Sequence, residues 1–192
     1  MKLGLSLSGL LQHDGDADMV QRFADVLDLV RLGRELGFAY IYTGHHYLTH
    51  PYQMMQPIPA LARLAAETGD MDLLSTILMP LQNPIRLAEE VATLDVITNG
   101  RIIIAPALGY RDEEYEAFGV THQDRLRRML ECMELMKLLW TGEEVTFTGE
   151  FTQVTGVHLG MKPVQQPHPR MWMTANGDGM VRRIARMGYV WY

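Results

Sequence analysis

Between Ser75 and Tyr110 the chain passes from an apolar strand through a Pro-punctuated loop and an amphipathic helix to a second apolar strand. Few folds accept that order. Pro80 closes the first strand, because a residue without an N–H cannot extend a hydrogen-bonded ladder. Asn83-Pro84 reads as a helix start: the Asn side chain can accept from a free first-turn N–H, and Pro at the first helical position gives up only a donor that had no partner. Leu87, Val91, Leu94 and Ile97, with Ala88 beside them, recur at helical spacing and predict one buried stripe. Asn99-Gly100 supplies the left-handed turn that stops the helix. Ile102, Ile103 and Ile104 follow Arg101 as a β-branched run without polar alternation, the pattern of a strand covered on both faces. Two strands joined in this way lie parallel.

The alternation extends outward from that unit. Leu3, Leu5 and Leu7 alternate with Gly4, Ser6 and Ser8 as a first strand, which accounts for the apolar start better than a signal peptide does. A helix around 20–36 carries Val26, Leu29, Val30 and Gly33 at helical spacing, Gly37 stops it, and Phe38 to Thr43 form a second strand. Pro57 to Thr68 read as a helix ended by Gly69, and Met71 to Met79 as the third strand. Beyond the fourth strand, Leu126, Met129, Leu130, Met133, Met136 and Leu139 line one side of a long helix, with Cys132 among them as core packing. Val145 to Phe151, around Thr148-Gly149, predict a small hairpin outside the alternation. A fifth strand over 171–175, a helix over 179–187 and a sixth strand begun at Gly188 complete the pass. No linker, repeat or low-complexity segment interrupts it, so residues 1–192 read as a single domain.

Composition narrows the class. With 47% apolar residues among 192, the chain can bury one sizeable core, whereas a closed eight-stranded α/β barrel takes about 250 residues. About five βα units and the start of a sixth strand predict an incomplete barrel with an exposed parallel edge, the N-terminal portion of a longer one. The net charge of −6 and the lack of a basic stripe argue against nucleic acid or an anionic membrane surface as partner. The lone Cys132 excludes an intrachain disulfide and fits a reducing cytoplasm.

Five segments in order, NPIRLAEEVATLDVITNGR, LGYRDEEYEAFGV, MKLLWTGEEVTFTGEF, KPVQQPHPRMWMTANG and RMGYVWY, resemble the bacterial luciferase-like monooxygenases over nearly the whole chain. The resemblance implies an α/β fold of the (β/α)8 TIM-barrel type, here incomplete. It implies a flavin-dependent oxidoreductase, a monooxygenase using reduced FMN and oxygen on a small organic substrate. A flavin reductase and assembly as a homo-oligomer belong to the same expectation. The alternatives are hydride transfer with the deazaflavin F420, or a non-catalytic flavin-binding or subunit-like protein with a shortened barrel.

The segment TGHHYLTH follows the second strand, so His45 and His46 emerge at the C-terminal mouth, the face on which such barrels place active sites. Histidine is the side chain best able to move protons near neutral pH. The resemblance assigns the catalytic place beside the flavin to His45, with Gly44 standing where relatives commonly carry Glu. A metal reading of His45, His46 and His50 is disfavoured, because Gly44 and Pro51 argue against one continuous helix and no Cys or carboxylate lies close in sequence. Ser75 and Thr76 offer small hydroxyls near the mouth, and by resemblance they occupy a place where a non-proline cis peptide supports the flavin ring. Gly109, followed by Tyr110, permits close approach of a cofactor to the backbone. Leu108 stands where some relatives carry a phosphate-binding Arg, which leaves that task to Arg111 or another cation. Ala175, Asn176, Gly177, Asp178 and Gly179 lead from a strand into a helix, whose free N–H groups make an anion site; in the family this turn holds the flavin phosphate. Asp178 reads as the N-cap.

Other polar residues read as structural. Asp95 and Arg101 bracket a helix end and are expected to pair or cap. Asp112, Glu113, Glu114 and Glu116 read as a solvated first-turn acidic run. His122, His158 and His168 have no partner at readable spacing.

Overall fold

A computed structural model describes residues 2–174 and 177–191. Its first half runs β1 (Gly4–Ser6), β2 (Gln12–His13), α1 (Met19–Glu35), β3 (Tyr40–Thr43), β4 (Gln53–Met54), α2 (Pro57–Leu64), β5 (Asp72–Leu78) and α3 (Pro84–Ile97). There follow β6 (Ile102–Ala107), α4 (Asp112–Ala117), α5 (Arg125–Thr141), β7 (Val145–Thr148), β8 (Gln153–Val157), β9 (Arg170–Met173), α6 (Asp178–Arg186) and β10 (Val190–Trp191). Six strands form one parallel sheet in the order β1-β3-β5-β6-β9-β10. Strand order equal to chain order, with helices between, is the arc of a (β/α) barrel, as the alternation predicts.

Local chemistry sets the helix ends. Asn83 Oδ1 accepts from the N–H groups of Ile85 and Arg86 at 3.0 and 3.1 Å, with Pro84 as the first residue of α3. Asp18 does the same for α1, accepting from Val20 and Gln21 at 3.0 and 3.2 Å. At the far end of α3, Asn99 and Gly100 take φ of 51° and 77°, the left-handed turn their sequence demands. Helix α2 stops at Leu64, short of the predicted Thr68, and Thr68 instead turns its hydroxyl onto Ala65 O while accepting from Arg101 Nη1.

Alternation along each strand divides the sheet into two faces. Leu73 and Ile77 of β5, Ile41 of β3, Ile102 and Ile104 of β6 and Met171 of β9 join one large apolar cluster with Val26 and Val30 of α1, Leu61 of α2, Val91 of α3 and Met136 of α5. The opposite face carries Leu74, Ile103 and Ala105, with Tyr40, Tyr42 and Trp172 packed around them. Cys132 lies in the helix-side cluster against the sulfurs of Met79 and Met136, the core place its neighbours predict.

Two antiparallel ribbons depart from the alternation. Strands β7 and β8 form the predicted hairpin, which runs on to Val157, and Glu131 of α5 holds its turn by accepting from the N–H groups of Glu150 and Phe151. Strands β2 and β4 pair Gln12 with Met54 and His13 with Gln53, two residues a side and too short to leave a periodic signature. Asp95 and Arg101 do not pair with each other. Buried Asp95 accepts from the backbone and side-chain N–H groups of Gln165, and Arg101 reaches Thr68 and Met71 O.

Candidate functional site at the strand C-termini

Strand β3 ends at Thr43, and the loop that follows carries both histidines to the C-terminal end of the sheet. His45 is only 4% exposed. Its Nδ1 accepts from the Leu78 N–H at 3.2 Å, which leaves the ring proton on Nε2, donated to Gln56 Oε1 at 3.1 Å. Gln56 is itself oriented, since its Nε2 donates to His46 O at 3.0 Å. Burial, partly opposed by the Gln56 hydrogen bond and reinforced by neighbouring His46, lowers the His45 pKa to about 4. His45 is therefore a neutral ring with both nitrogens engaged, one wall of a cavity of about 320 Å³ that also touches Tyr47, Gln56, Ile77, Gln82 and Leu87.

His46 is placed differently. Its side chain is 26% exposed, and its Nδ1 lies 3.2 Å from Oε1 of Glu114. The same oxygen accepts from the Tyr47 N–H at 2.7 Å. Glu114 is 0% exposed, so the reading of a uniformly solvated acidic run fails at this residue. The cause is helical periodicity: on α4, Glu114 and Tyr115 turn inward while Asp112, Glu113 and Glu116 face solvent. Tyr115 packs with Leu78 and Leu81, a contact that fixes which side of α4 is buried. The Arg111, Glu114 and Tyr115 spacing was the available signal, masked by the charge run around it.

Arg111 is engaged with backbone carbonyls. Its Nη1 donates to Tyr47 O at 2.8 Å and its Nη2 to Leu48 O at 3.2 Å, so the Tyr47 peptide is held by Glu114 at its N–H and by Arg111 at its carbonyl. Gln82 adds a hydrogen bond to Tyr47 Oη at 3.0 Å. Position 44 has little room for a side chain, because a Cβ there would lie 3.1 Å from Ser8 Oγ, itself buried and without a partner among the described residues. The carboxylate beside the histidine pair comes from α4 rather than from position 44.

Ser75 and Thr76 do not both face the mouth, because consecutive strand residues point to opposite sides. Ser75, between Leu73 and Ile77, is buried on the helix side, where it accepts from Thr43 Oγ1 at 3.1 Å. Thr76 lies on the opposite face with its Oγ1 2.9 Å from Tyr42 Oη. Their peptide bond is trans, the cis bonds among the described residues being His50–Pro51 and Gln166–Pro167. Gly109 takes φ of 82°, and Tyr110 beside it is 72% exposed with its ring 5.3 Å from that of His46. His122 stands near Asp112, His158 meets Glu143 O and His168 meets Pro169 O. Among the described residues no group of three or more His, Cys, Asp or Glu side chains could hold a metal ion.

The phosphate-binding candidates divide. Ala175 and Asn176 lie outside the described residues. Gly177, not Asp178, is the N-cap of α6, and among the described residues no side chain caps the helix; Asp178 is its first residue. A Cβ on Gly177 or Gly179 would meet nothing within 4 Å, so this turn leaves its backbone open to a ligand. The orphaned Ser8 hydroxyl, the left-handed Gly109 and the open glycines at the start of α6 fit a polar cofactor.

Residues 1–192 match the family model described as luciferase-like monooxygenase. The oxygenase component of the flavin-dependent trigonelline monooxygenase of Acinetobacter baylyi is 32% identical over 158 residues, covering 81% of this chain and 44% of that protein. The FMNH2-dependent dimethylsulfone monooxygenase of Pseudomonas putida is 30% identical over 132 residues, covering 67% of this chain and 36% of its own. The crystal structure of a monooxygenase from Streptomyces bottropensis superposes with a TM-score of 0.90 at 28% identity, over 100% of this chain and 59% of that one. The chain spans about half the length of the curated relatives it matches.

Proposed function

The chain belongs to the luciferase-like monooxygenase family, and on that premise we propose that it forms the flavin-facing part of an oxidoreductase that uses reduced FMN and oxygen on a small organic substrate. The observation that carries this reading is the meeting of the His45–His46 loop with the ends of β5 and β6 at one end of the parallel sheet. Bound FMN supplies the redox chemistry, and the protein supplies position, charge and exclusion of water. Thr76 and Tyr42, on the face opposite the helices, and Gly109 and Tyr110, after the end of β6, would hold the cofactor. Ala175, Asn176, Gly177, Asp178 and Gly179 would hold its phosphate. Ser75 acts from behind the sheet by fixing Thr43. His45, neutral and doubly hydrogen-bonded, holds the loop to Leu78 and Gln56 at the cofactor's edge.

The wider setting follows the same reading: one barrel-type domain in the cytoplasm, supplied with reduced flavin by a separate reductase. The Acinetobacter baylyi relative, named as an oxygenase component, supports the division of labour. Exposed Ile85, Val96 and Ile97 on α3 support self-association into a homo-oligomer. No helix among the described residues is long and apolar enough to cross a membrane.

Fluorescence titration with FMN, riboflavin and F420 tests the proposal. FMN is expected to bind at one site per chain, more tightly than riboflavin by on the order of tenfold, the worth of one charge-assisted hydrogen bond to the phosphate. Preference for F420 moves the reading to hydride transfer. Binding of neither cofactor refutes both.

A further inference from the structure

The two histidines of the mouth occupy opposite electrostatic situations, and only one of them is free to exchange a proton. At His45 both ring nitrogens are engaged, and protonating Nδ1 removes the acceptor of the buried Leu78 N–H. At His46, Nδ1 faces the buried Glu114 carboxylate, and among the described residues no hydrogen-bond partner reaches Nε2. Glu114 Oε1 is fixed by the Tyr47 N–H, while its Oε2 is buried with no partner among the described residues. The charged and titratable groups around His46 are Glu114, with Arg111 Nη1 3.9 Å from Glu114 Oε1, His45 on the same loop, and Tyr110 against its ring.

We propose that His46 is the proton-exchanging residue of this mouth and that Glu114 is its positioning residue, fixing the Nδ1–H tautomer and so presenting Nε2 toward the opening. The proposal deepens the flavin reading and rests on it for the identity of the reaction. In the neutral state Nε2 holds a lone pair; it takes a proton from an O–H or N–H group of a bound molecule, leaving that group with the bonding electron pair. The imidazolium then faces the Glu114 carboxylate and returns its Nε2 proton to water at the mouth. Nδ1–H stays in place throughout. A carboxylate carried on α4 thereby orients the imidazole on the loop, as a carboxylate orients histidine in hydrolase triads.

Nitrogen-15 NMR of the imidazole rings in the full, cofactor-free chain tests the pair without any assay of activity. The expected wild-type spectrum shows neutral His46 as the Nδ1–H tautomer and His45 as the Nε2–H tautomer. In E114Q the carboxylate that holds Nδ1–H is gone, and the Nε2–H tautomer of neutral His46 is expected to appear in the spectrum. In air oxidation of protein-bound FMNH2, the pH profile is expected to move in E114Q. An Nε2–H tautomer at His46 overturns the proposal on wild-type protein alone, even if E114Q does not fold. An unchanged His46 tautomer in E114Q, or an unmoved pH profile, overturns it as well. Failure of FMN to bind refutes the flavin reading, while the tautomer still decides the pair.

Discussion

Acidification destabilises this fold through His45, and the effect can be sized. The unfolded ring titrates near its ordinary value of 6.5, whereas burial holds the folded ring down to about 4. Between those values the unfolded chain binds the extra proton, so stability is fully present above the unfolded value and is lost as pH falls toward the folded one. The slope reaches at most about 1.4 kcal/mol per pH unit, and integration between about pH 7.5 and about pH 5 gives a loss of about 2 kcal/mol. Urea unfolding of wild type and H45Q at several pH values isolates this contribution, because other groups titrate equally in both proteins. H45Q starts less stable through lost packing, yet its stability falls less on acidification, and the two curves converge by about 2 kcal/mol near pH 5. Parallel curves with constant separation across that range would show that His45 is not held neutral by its surroundings, and the account of its two hydrogen bonds would be wrong.

Three further outcomes test other parts of the structure. Glu67 bridges Arg31 and Arg63, and its hydrogen bond to Arg31, with that to Arg63, lowers its pKa from 4.5 to about 2. Its contribution is present above 4.5 and fades as pH falls toward 2, so the stability gap between wild type and E67Q in denaturant titrations closes over that interval; a gap unchanged by acid refutes the bridge. N83A removes the side chain that accepts from Ile85 and Arg86 and is expected to cost about 1 kcal/mol in urea unfolding, with N83D losing much less. Equal losses in both variants would discount the cap. Burial raises the Cys132 thiol to about 12, so a disulfide reagent at mildly alkaline pH labels it only after unfolding; prompt labelling of native protein contradicts the packing of α5.

Legibility followed the range of the interactions. The parallel alternation and the Asn83-Pro84 start of α3 depend on residues close in sequence, and both were readable there. The β2–β4 ribbon joins residues far apart, each contributing only two positions, so no window contains its pattern. His45 could be placed at the mouth from its position after β3, but the locked state of its ring depends on Gln56 and Leu78. Glu114 was hidden by its company: charge composition described α4 correctly on its outer side and failed where the helix turns toward Tyr47. Ser75 and Thr76 were read as one unit although strand geometry separates neighbours to opposite faces.

The order of the sheet also bears on how the chain is made. In the parallel sheet each strand after β1 pairs with one that leaves the ribosome before it, so the sheet can lengthen at its C-terminal edge as synthesis proceeds. From β1 to β6 each addition follows a single helix, but between β6 and β9 the nascent chain must first accommodate α4, α5 and the β7–β8 hairpin. Helix α5 bridges that interval by docking on α3, where Trp140 Nε1 donates to Ala88 O at 3.0 Å in a buried contact. The detour is thus tied to a helix made before it, so α5 can dock before β9 is made.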